Sequence, residues 1–158
     1  MQKTLDNLIS ESKEALESMK KKIELSSNDL SEDVSEFWAD LTENYTQVHS
    51  KLVVAAEAYS EKAQKEAYLT MMEAKYKLLD LQDITKRFSS DVLSSAKKEI
   101  DIASYKSELS ALKVEDSWEK IKDEISDVYE SSKEEVEKLA KSASDDVKDL
   151  FAKIKSLV

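Results

Sequence analysis

The sequence of 158 residues contains no glycine, no proline and no cysteine. Average usage would place about 19 glycines and prolines in a chain of this length, and these two residues mark most turns and bulges. Their absence makes tight hairpins hard to build and long helices easy. It also excludes a glycine-rich phosphate-binding loop. Without cysteine, the chain can form no disulfide, iron–sulfur cluster or cysteine-ligated zinc site. The composition therefore predicts an all-α protein.

Histidine is almost as scarce, because His49 is the only one. Metal sites in helical bundles use a Glu-x-x-His pair on each of two helices, and position 46 of this chain is threonine. Serine is abundant, but no Ser/His/Asp set stands out. Carboxylate pairs such as Glu134 and Glu135 lie on the polar side of a predicted helix. We therefore expect no enzyme activity, no cofactor and no metal site.

Long hydrophobic runs and an excess of basic charge are also missing. No apolar run approaches the roughly 18 residues that a membrane span needs, and residues 1–7 lack the apolar core of a secretory signal. We expect a cytoplasmic protein. The formal net charge is −10, which argues against nucleic acid as a partner because nucleic-acid binding needs a basic surface. The same charge weakens binding to an anionic membrane.

Apolar residues recur every eleven positions from end to end. One series is Ala15, Ser26, Phe37, Val48, Tyr59, Thr70, Leu81, Val92, Ala103, Val114, Ile125, Val136, Val147 and Val158. A second series is Leu8, Met19, Leu30, Leu41, Leu52, Ala63, Ala74, Thr85, Ala96, Ser107, Trp118, Tyr129, Ala140 and Phe151. Eleven residues in three turns give about 3.67 residues per turn, close to the relaxed α-helix. The spacing predicts helices that are straight or supercoil slightly to the right.

The middle of the chain carries small residues on this stripe. Between residues 53 and 74 they are Ala55, Ala56, Ala58, Ala63, Ala67 and Ala74. Small side chains let helix axes approach closely, whereas a lipid-facing helix gains most from bulky apolar side chains. This stretch therefore favours packing between protein helices. Phe37 lies on the stripe and Trp38 beside it, so Trp38 is predicted either to seal a bundle end or to anchor a partner.

A single helix of this length would span about 240 Å, so we expect turns. Without glycine and proline, turns would use serine, asparagine and aspartate. The best candidates are residues 26–29, 89–91 and 114–117; at the first of them Asp29 and Glu32 have capping-box spacing. The chain is predicted to be a single helical domain, residues 1–158, built as an elongated helical bundle or a coiled-coil hairpin. Its predicted helices are 2–25, 30–88, 91–113 and 117–157.

The apolar stripe is the candidate interaction surface. One thin monomer would leave much of it exposed, and self-association is the natural way to cover it. We expect a non-enzymatic structural or assembly protein that packs through the stripe against its own or partner helices, either as a homo-oligomer or with a helical protein partner. The predicted interaction residues are Phe37, Leu41, Val48, Leu52, Tyr59, Leu81, Val92, Trp118, Ile125, Tyr129, Val136, Val147 and Phe151.

A coat protein that adsorbs to a lipid or polymer particle is the alternative. In the last segment, Lys122, Lys133 and Lys155 flank the apolar arc while Asp123 and Glu134 lie opposite it. This layout partly resembles that of exchangeable apolipoprotein helices. The repeat, the absence of cysteine and the Ser/Lys/Glu polar face also resemble, in kind, the phasins of polyester storage granules. Helices that fold on drying use 11-residue repeats too, but these usually contain glycine.

Overall fold

A computed structural model describes residues 2–26, 32–60, 63–94, 100–112 and 116–157. In these ranges the chain forms α-helices and no strand, which confirms the all-α prediction. The helices are α1 (Gln2–Ser26), α2 (Glu32–Glu57), α3 (Gln64–Ser94), α4 (Ile102–Ala111), α5 (Asp116–Ser131) and α6 (Lys133–Leu157). None of the helices in this part of the chain is both long enough and apolar enough to cross a membrane.

The four long helices α1, α2, α3 and α6 form a helical bundle, in which each packs against two of the others in a closed ring. Contacts between neighbours fix their directions. Gln2 Nε2, at the start of α1, donates to the carbonyl oxygen of Ala56 near the end of α2 at 3.3 Å. Farther along α1, Ser12 lies against His49, which is earlier in α2. These two helices are therefore antiparallel.

Helices α2 and α3 also run in opposite directions. Late in α2, Lys51 Nζ lies 2.5 Å from Glu73 Oε1. Earlier in α2, the Tyr45 hydroxyl lies 2.6 Å from Thr85 Oγ1. Residues that come later in α2 thus meet residues that come earlier in α3, as expected for helices joined by a short connection.

Helix α6 runs parallel to α3. Lys75 Nζ lies 3.0 Å from Asp146 Oδ2, and farther along both helices Ser89 Oγ donates to the carbonyl oxygen of Leu157 at 3.1 Å. Parallel neighbours need a long crossover connection, because the chain must first return to the other end of the bundle. Helices α4 and α5 form that crossover.

Helix α5 makes the return along the outside of α3 and α6. The rings of Tyr68 and Tyr129 lie 6.4 Å apart, and those of Tyr76 and Trp118 lie 6.2 Å apart. Later residues of α3 therefore meet earlier residues of α5, so these two helices are antiparallel. None of the side chains described in α5 is fully buried. It forms an outer layer on the bundle.

Helix α4 packs on α2 and α3, beside the start of α2 and the end of α3. It runs antiparallel to α3, because Tyr105 meets Asp91 and Glu108 meets Arg87, which is earlier in α3. The carboxylate of its N-cap residue, Asp101, accepts a hydrogen bond from the Ser104 N–H at 3.1 Å. Its buried residues are Tyr105 and Leu109. The two 11-residue series point to a different face, and the positions that they mark in α4, Ala103 and Ser107, are exposed.

Two polar contacts fasten α4 to α3. The Arg87 guanidinium binds the Glu108 carboxylate through two hydrogen bonds of 2.9 and 3.0 Å, and it also lies 3.0 Å from Asp83. The Tyr105 hydroxyl donates to the Asp91 carboxylate. Burial, followed by the contact with Asp91, raises the pKa of Tyr105 to about 12. The hydroxyl therefore stays protonated, as the donor, across the neutral range.

Replacing Arg87 by lysine is expected to lower the free energy of unfolding by about 0.5–1 kcal/mol, because lysine cannot make the paired contact with Glu108. Both side chains are partly exposed, so the loss should shrink at high salt. Urea denaturation at low and high salt measures it. Lys138→Ala, which removes an exposed ion pair with Glu134, is the control. Equal effects of the two substitutions would contradict a fastening role for Arg87.

An aromatic cluster fills the core where α4 packs against the start of α2 and the end of α3. The Phe88 ring contacts three others, with centroid distances of 4.5 Å to Phe37, 5.2 Å to Trp38 and 5.4 Å to Tyr105. Phe37, Trp38 and Phe88 are fully buried. These edge-on arrangements are the favoured ones for aromatic pairs. The cluster joins α2, α3 and α4.

The predicted helix 30–88 is wrong, because α2 and α3 are separate helices. Between them the Tyr59 N–H donates to the Ala56 carbonyl at 3.3 Å, and the Ala63 N–H donates to the Ser60 carbonyl at 3.0 Å. Both are bonds between residues three apart, which make tighter turns than the α-helix. The surrounding alanines, glutamates and lysines favour helix, and Ser60 is the one turn-forming residue among those described.

The break predicted at residues 89–91 is also wrong, because α3 continues to Ser94. The Ser89 hydroxyl bonds to α6 and leaves the local backbone helical. Helix 117–157 is instead interrupted at Ser132. There the Ser131 hydroxyl and the Ser132 N–H both donate to the Val128 carbonyl, at 3.1 and 2.7 Å. Such local serine bonds compete with helix continuation.

The other two predicted breaks, at residues 26–29 and 114–117, fall mostly on residues 27–31 and 113–115. These lie outside the described residues.

Candidate helix-docking groove

The bundle buries the predicted interaction stripe within a single chain. Eight of its residues are almost completely buried: Phe37, Leu41, Val48, Leu52, Leu81, Val136, Val147 and Phe151. The other five are half-buried and pack against that core: Tyr59, Val92, Trp118, Ile125 and Tyr129. We expected self-association to cover this stripe, but the long helices cover it by folding back on one another. A surface for partners on the folded bundle must therefore use residues other than these eight.

Trp38 is also inside the bundle. Its side chain is fully buried and packs edge-on against Phe88. This position fits the sealing of a bundle end and does not fit the anchoring of a partner. The indole N–H has no hydrogen-bond partner among the described residues. An unpaired buried donor costs about 1–3 kcal/mol, so the ring is retained for its volume and aromatic contacts.

Five large apolar side chains stay exposed in the described ranges: Val54, Tyr76, Leu79, Val128 and Leu139. The last four lie on α5 and on the two bundle helices that it covers, α3 and α6. Val54 lies apart from them near the end of α2, and 63% of its surface is accessible to solvent. Single exposed apolar residues are common. Val54 differs because it lies in a concave surface.

Val54 lines an open groove of about 340 Å³ between the end of α2 and the start of α3. The residues that line the groove are Ser50, Lys51, Val54, Ala55, Ala58, Ala63, Glu66, Ala67 and Thr70. Its surface is mostly apolar because alanine methyl groups form much of both walls. Alanine also keeps the walls low, so that another backbone can approach closely.

Polar contacts close the seam between α2 and α3 just beyond this groove. Lys51 Nζ lies 2.5 Å from Glu73 Oε1, and Lys77 Nζ donates to Gln47 Oε1 at 3.3 Å. Lys51 itself lines the groove, so its contact with Glu73 bounds the groove on the side away from the turn. The groove is a short trough with one closed end.

Negative charge remains on the open sides of the groove. Glu66 lines the groove on α3. Glu57 lies three residues after Val54, on the same side of α2, and both glutamates are exposed. Within the described residues, neither carboxylate takes part in an ion pair, whereas Lys51 is neutralised by Glu73. The rim is thus acidic around an apolar floor.

The one histidine lies away from the groove, on the α1 side of α2. Ser12 is fully buried, and its hydroxyl donates to the Ile9 carbonyl at 2.8 Å. The His49 ring nitrogen Nδ1 lies 2.5 Å from Ser12 Oγ. Because the serine proton is already used, we assign the proton of this bond to Nδ1. In the described ranges, no group of three or more His, Asp or Glu residues is placed to hold a metal ion.

His49 is expected to make stability depend on pH. Burial, and secondly the charge of Lys13, lower the pKa of His49 in the folded chain. The unfolded chain therefore binds more protons near and below pH 6.5, so stability is complete above that pH and falls as pH decreases. Urea midpoints from pH 7.5 down to 5.5 should fall more for the wild type than for His49→Gln. Parallel curves would contradict this assignment.

Sequence reasoning placed Ala55, Ala58, Ala63 and Ala67, which line the groove, among small residues that favour helix packing. It missed the exposed groove itself because it followed the 11-residue series, to which Val54 does not belong. One signal was present. Residues 53–56 are Val-Val-Ala-Ala, four consecutive apolar residues in a helix. A helix cannot turn all four toward one core, so at least one must face outward. That residue is Val54.

Comparisons with known proteins give no match: no family model, no curated protein and no solved structure matches this chain. Function must therefore be argued from the groove, the charges and the helix surfaces themselves.

Proposed function

We propose that this chain is a non-enzymatic structural or assembly protein that packs its surface against helices of its own kind or of a partner. The groove between α2 and α3 carries the proposal. It combines alanine walls with Val54, the most exposed large apolar side chain in the described ranges. Docking of an amphipathic helix into a protein groove uses these features.

The buried stripe supports the proposal indirectly. Leu52, between the groove residues Lys51 and Val54, and Leu78, farther along α3, are fully buried, and they hold the two helices that form the walls in place. We also propose that the 11-residue spacing keeps the long helices in register. A cytoplasmic location is proposed because the chain has no cysteine and so needs no oxidising compartment.

Size-exclusion chromatography with light scattering, over a range of protein concentrations, tests the assembly form of the proposal. If copies of this chain pack through the groove, the wild type forms a defined oligomer and Val54→Asp is a monomer, because a carboxylate buried in an apolar contact is costly. Val128→Asp places the same charge on α5 and is the matched control. It should leave the oligomer intact.

A wild-type protein that remains monomeric and moves onto lipid vesicles would contradict assembly. An oligomer that survives Val54→Asp and is lost in Val128→Asp would move the interface from the groove to α5.

A particle-coat function is the second candidate, and helix α5 favours it. Its apolar residues Trp118, Ile121, Ile125 and Tyr129 are half-buried, and Val128 is exposed. A helix held this loosely can exchange its contacts with α3 and α6 for a lipid surface. Tryptophan and tyrosine are suited to that boundary because one end of each ring is polar.

Trp118 can report on such adsorption, because the chain has one other tryptophan, Trp38. In a Trp38→Phe background, a blue shift of the fluorescence on adding phosphatidylcholine vesicles would show that α5 enters the lipid. The residues of α5 include more acidic than basic ones, so binding should be weaker to anionic vesicles. An unchanged spectrum with both kinds of vesicle would contradict the coat function.

A further inference from the structure

The two walls of the groove have the spacing of helix rows. Ser50, Val54 and Ala58 follow one another at intervals of four on the α2 side, and Ala63 and Ala67 do the same on the α3 side. Each row extends for about one to two helical turns, or roughly 6–12 Å. A third helix that lies along the seam would place apolar side chains of successive turns between these rows.

The charge on the rim of the groove decides whether an acidic or a basic helix fits there. The rim carries Glu57 and Glu66 without ion-pair partners among the described residues, while Lys51 is neutralised by Glu73. An acidic helix in the groove would bring like charges together, and a basic one would satisfy both carboxylates. Complementary charge of this kind selects partners and speeds association.

Among the helices of the described ranges, a second copy of this chain offers no basic one. None of the six helices has more basic than acidic residues, and the net charge of the whole chain is −10. Two copies would therefore repel each other at long range at low salt. The occupant that satisfies the groove's charge comes from another protein.

Resting on the proposed function, we infer that the groove between α2 and α3 binds a basic amphipathic helix of a partner protein. Apolar side chains on one face of that helix cover Val54 and the alanines. Lysines or arginines on the edges of that face pair with Glu57 and Glu66.

Fluorescence anisotropy with two designed peptides tests this inference. Each peptide has about five helical turns and the same leucine face; one carries lysines on its polar face, and the other carries glutamates. We expect the lysine peptide to bind at least about tenfold more tightly than the glutamate peptide. Replacing both Glu57 and Glu66 by glutamine should weaken the lysine peptide about tenfold and reduce the salt dependence of binding.

Val54→Asp separates docking from simple charge attraction. It adds a negative charge, so an association that is only electrostatic would become tighter. Docking through the apolar floor would become about tenfold weaker, because the new carboxylate must lose water in the contact. Val128→Asp adds the same charge away from the groove and should leave binding within about twofold. Circular dichroism checks that each variant retains its helices.

Equal binding of the two peptides, or tighter binding by Val54→Asp, would overturn the inference. Light scattering distinguishes these outcomes from failure of the proposed function. If light scattering still shows an oligomer that Val54→Asp dissociates, the groove is an assembly surface for copies of this chain. If neither experiment responds to Val54→Asp, the groove is not an interaction site and both proposals fail.

Discussion

Replacing Phe88 by alanine is expected to lower the free energy of unfolding by about 3–5 kcal/mol, the usual range when a large buried aromatic side chain is lost. Phe88 is fully buried and its ring contacts those of Phe37, Trp38 and Tyr105. The substitution removes the ring from the middle of the cluster and leaves a cavity. The surrounding rings belong to two other helices, α2 and α4, and cannot close that cavity without moving one of them.

Urea denaturation followed by far-UV circular dichroism measures this loss. The near-UV signal and the fluorescence of Trp38 should change even where the variant is folded, because Phe88 packs against the indole. Leu79→Ala is the control in the same helix: Leu79 is exposed and its loss should cost less than about 1 kcal/mol. A cost for Phe88→Ala no larger than that of the control would show that the cluster does not stabilise the bundle.

Composition was sufficient for the fold class, and periodicity identified much of the core. Leu8, Met19, Leu41 and Leu52 belong to one 11-residue series, and all four are buried. The reason is physical: a helix in a bundle is stable only if one face is apolar. The same series fails in α4, where Tyr105 and Leu109 are the buried residues. The face that a short helix buries depends on how it packs against its neighbours, and α4 packs on α2 and α3 through Tyr105 and Leu109, out of phase with the series.

The turns were harder to predict because this chain has no glycine or proline, the residues that most strongly favour a turn. The reversal between α2 and α3 involves Tyr59, Ser60 and alanines, all of which are also found inside helices. Ser89 looked like a turn residue, but it is helical and bonds to α6. Whether a serine ends a helix or stays inside one depends on which group its hydroxyl bonds to in the folded chain. A single sequence does not contain that information.

The candidate site was missed for a related reason. The apolar stripe was the strongest pattern in the sequence, and an exposed stripe would have been an interface. Whether it is exposed depends on how the helices pair, and the crossover through α4 and α5 lets α6 close the bundle. The groove is formed where the seam between α2 and α3 widens next to a turn. Its position follows from a turn that the sequence does not mark.

Thr85→Val is expected to destabilise the bundle by about 1–3 kcal/mol, because it leaves a buried hydroxyl without an acceptor. Tyr45 and Thr85 are both fully buried, and their oxygens lie 2.6 Å apart. Thr85 Oγ1 donates to the Leu81 carbonyl at 2.7 Å, so the tyrosine is the donor in the contact between the two hydroxyls. Burial raises the pKa of Tyr45, so it remains a neutral phenol with a proton to donate throughout the neutral range.

Adding Tyr45→Phe to Thr85→Val should restore part of that loss, because the double variant has no stranded hydroxyl and keeps nearly the same volume. The four proteins of this cycle, compared by urea denaturation, give the coupling free energy between the two side chains, which we expect to be about 0.5–3 kcal/mol. Strictly additive losses would mean that the hydroxyls do not depend on each other, and that a buried water satisfies Tyr45 when Thr85 is removed. A coupling free energy in this range would instead show that the Tyr45–Thr85 pair, which lies in the apolar interface between α2 and α3, fixes the register of these two helices.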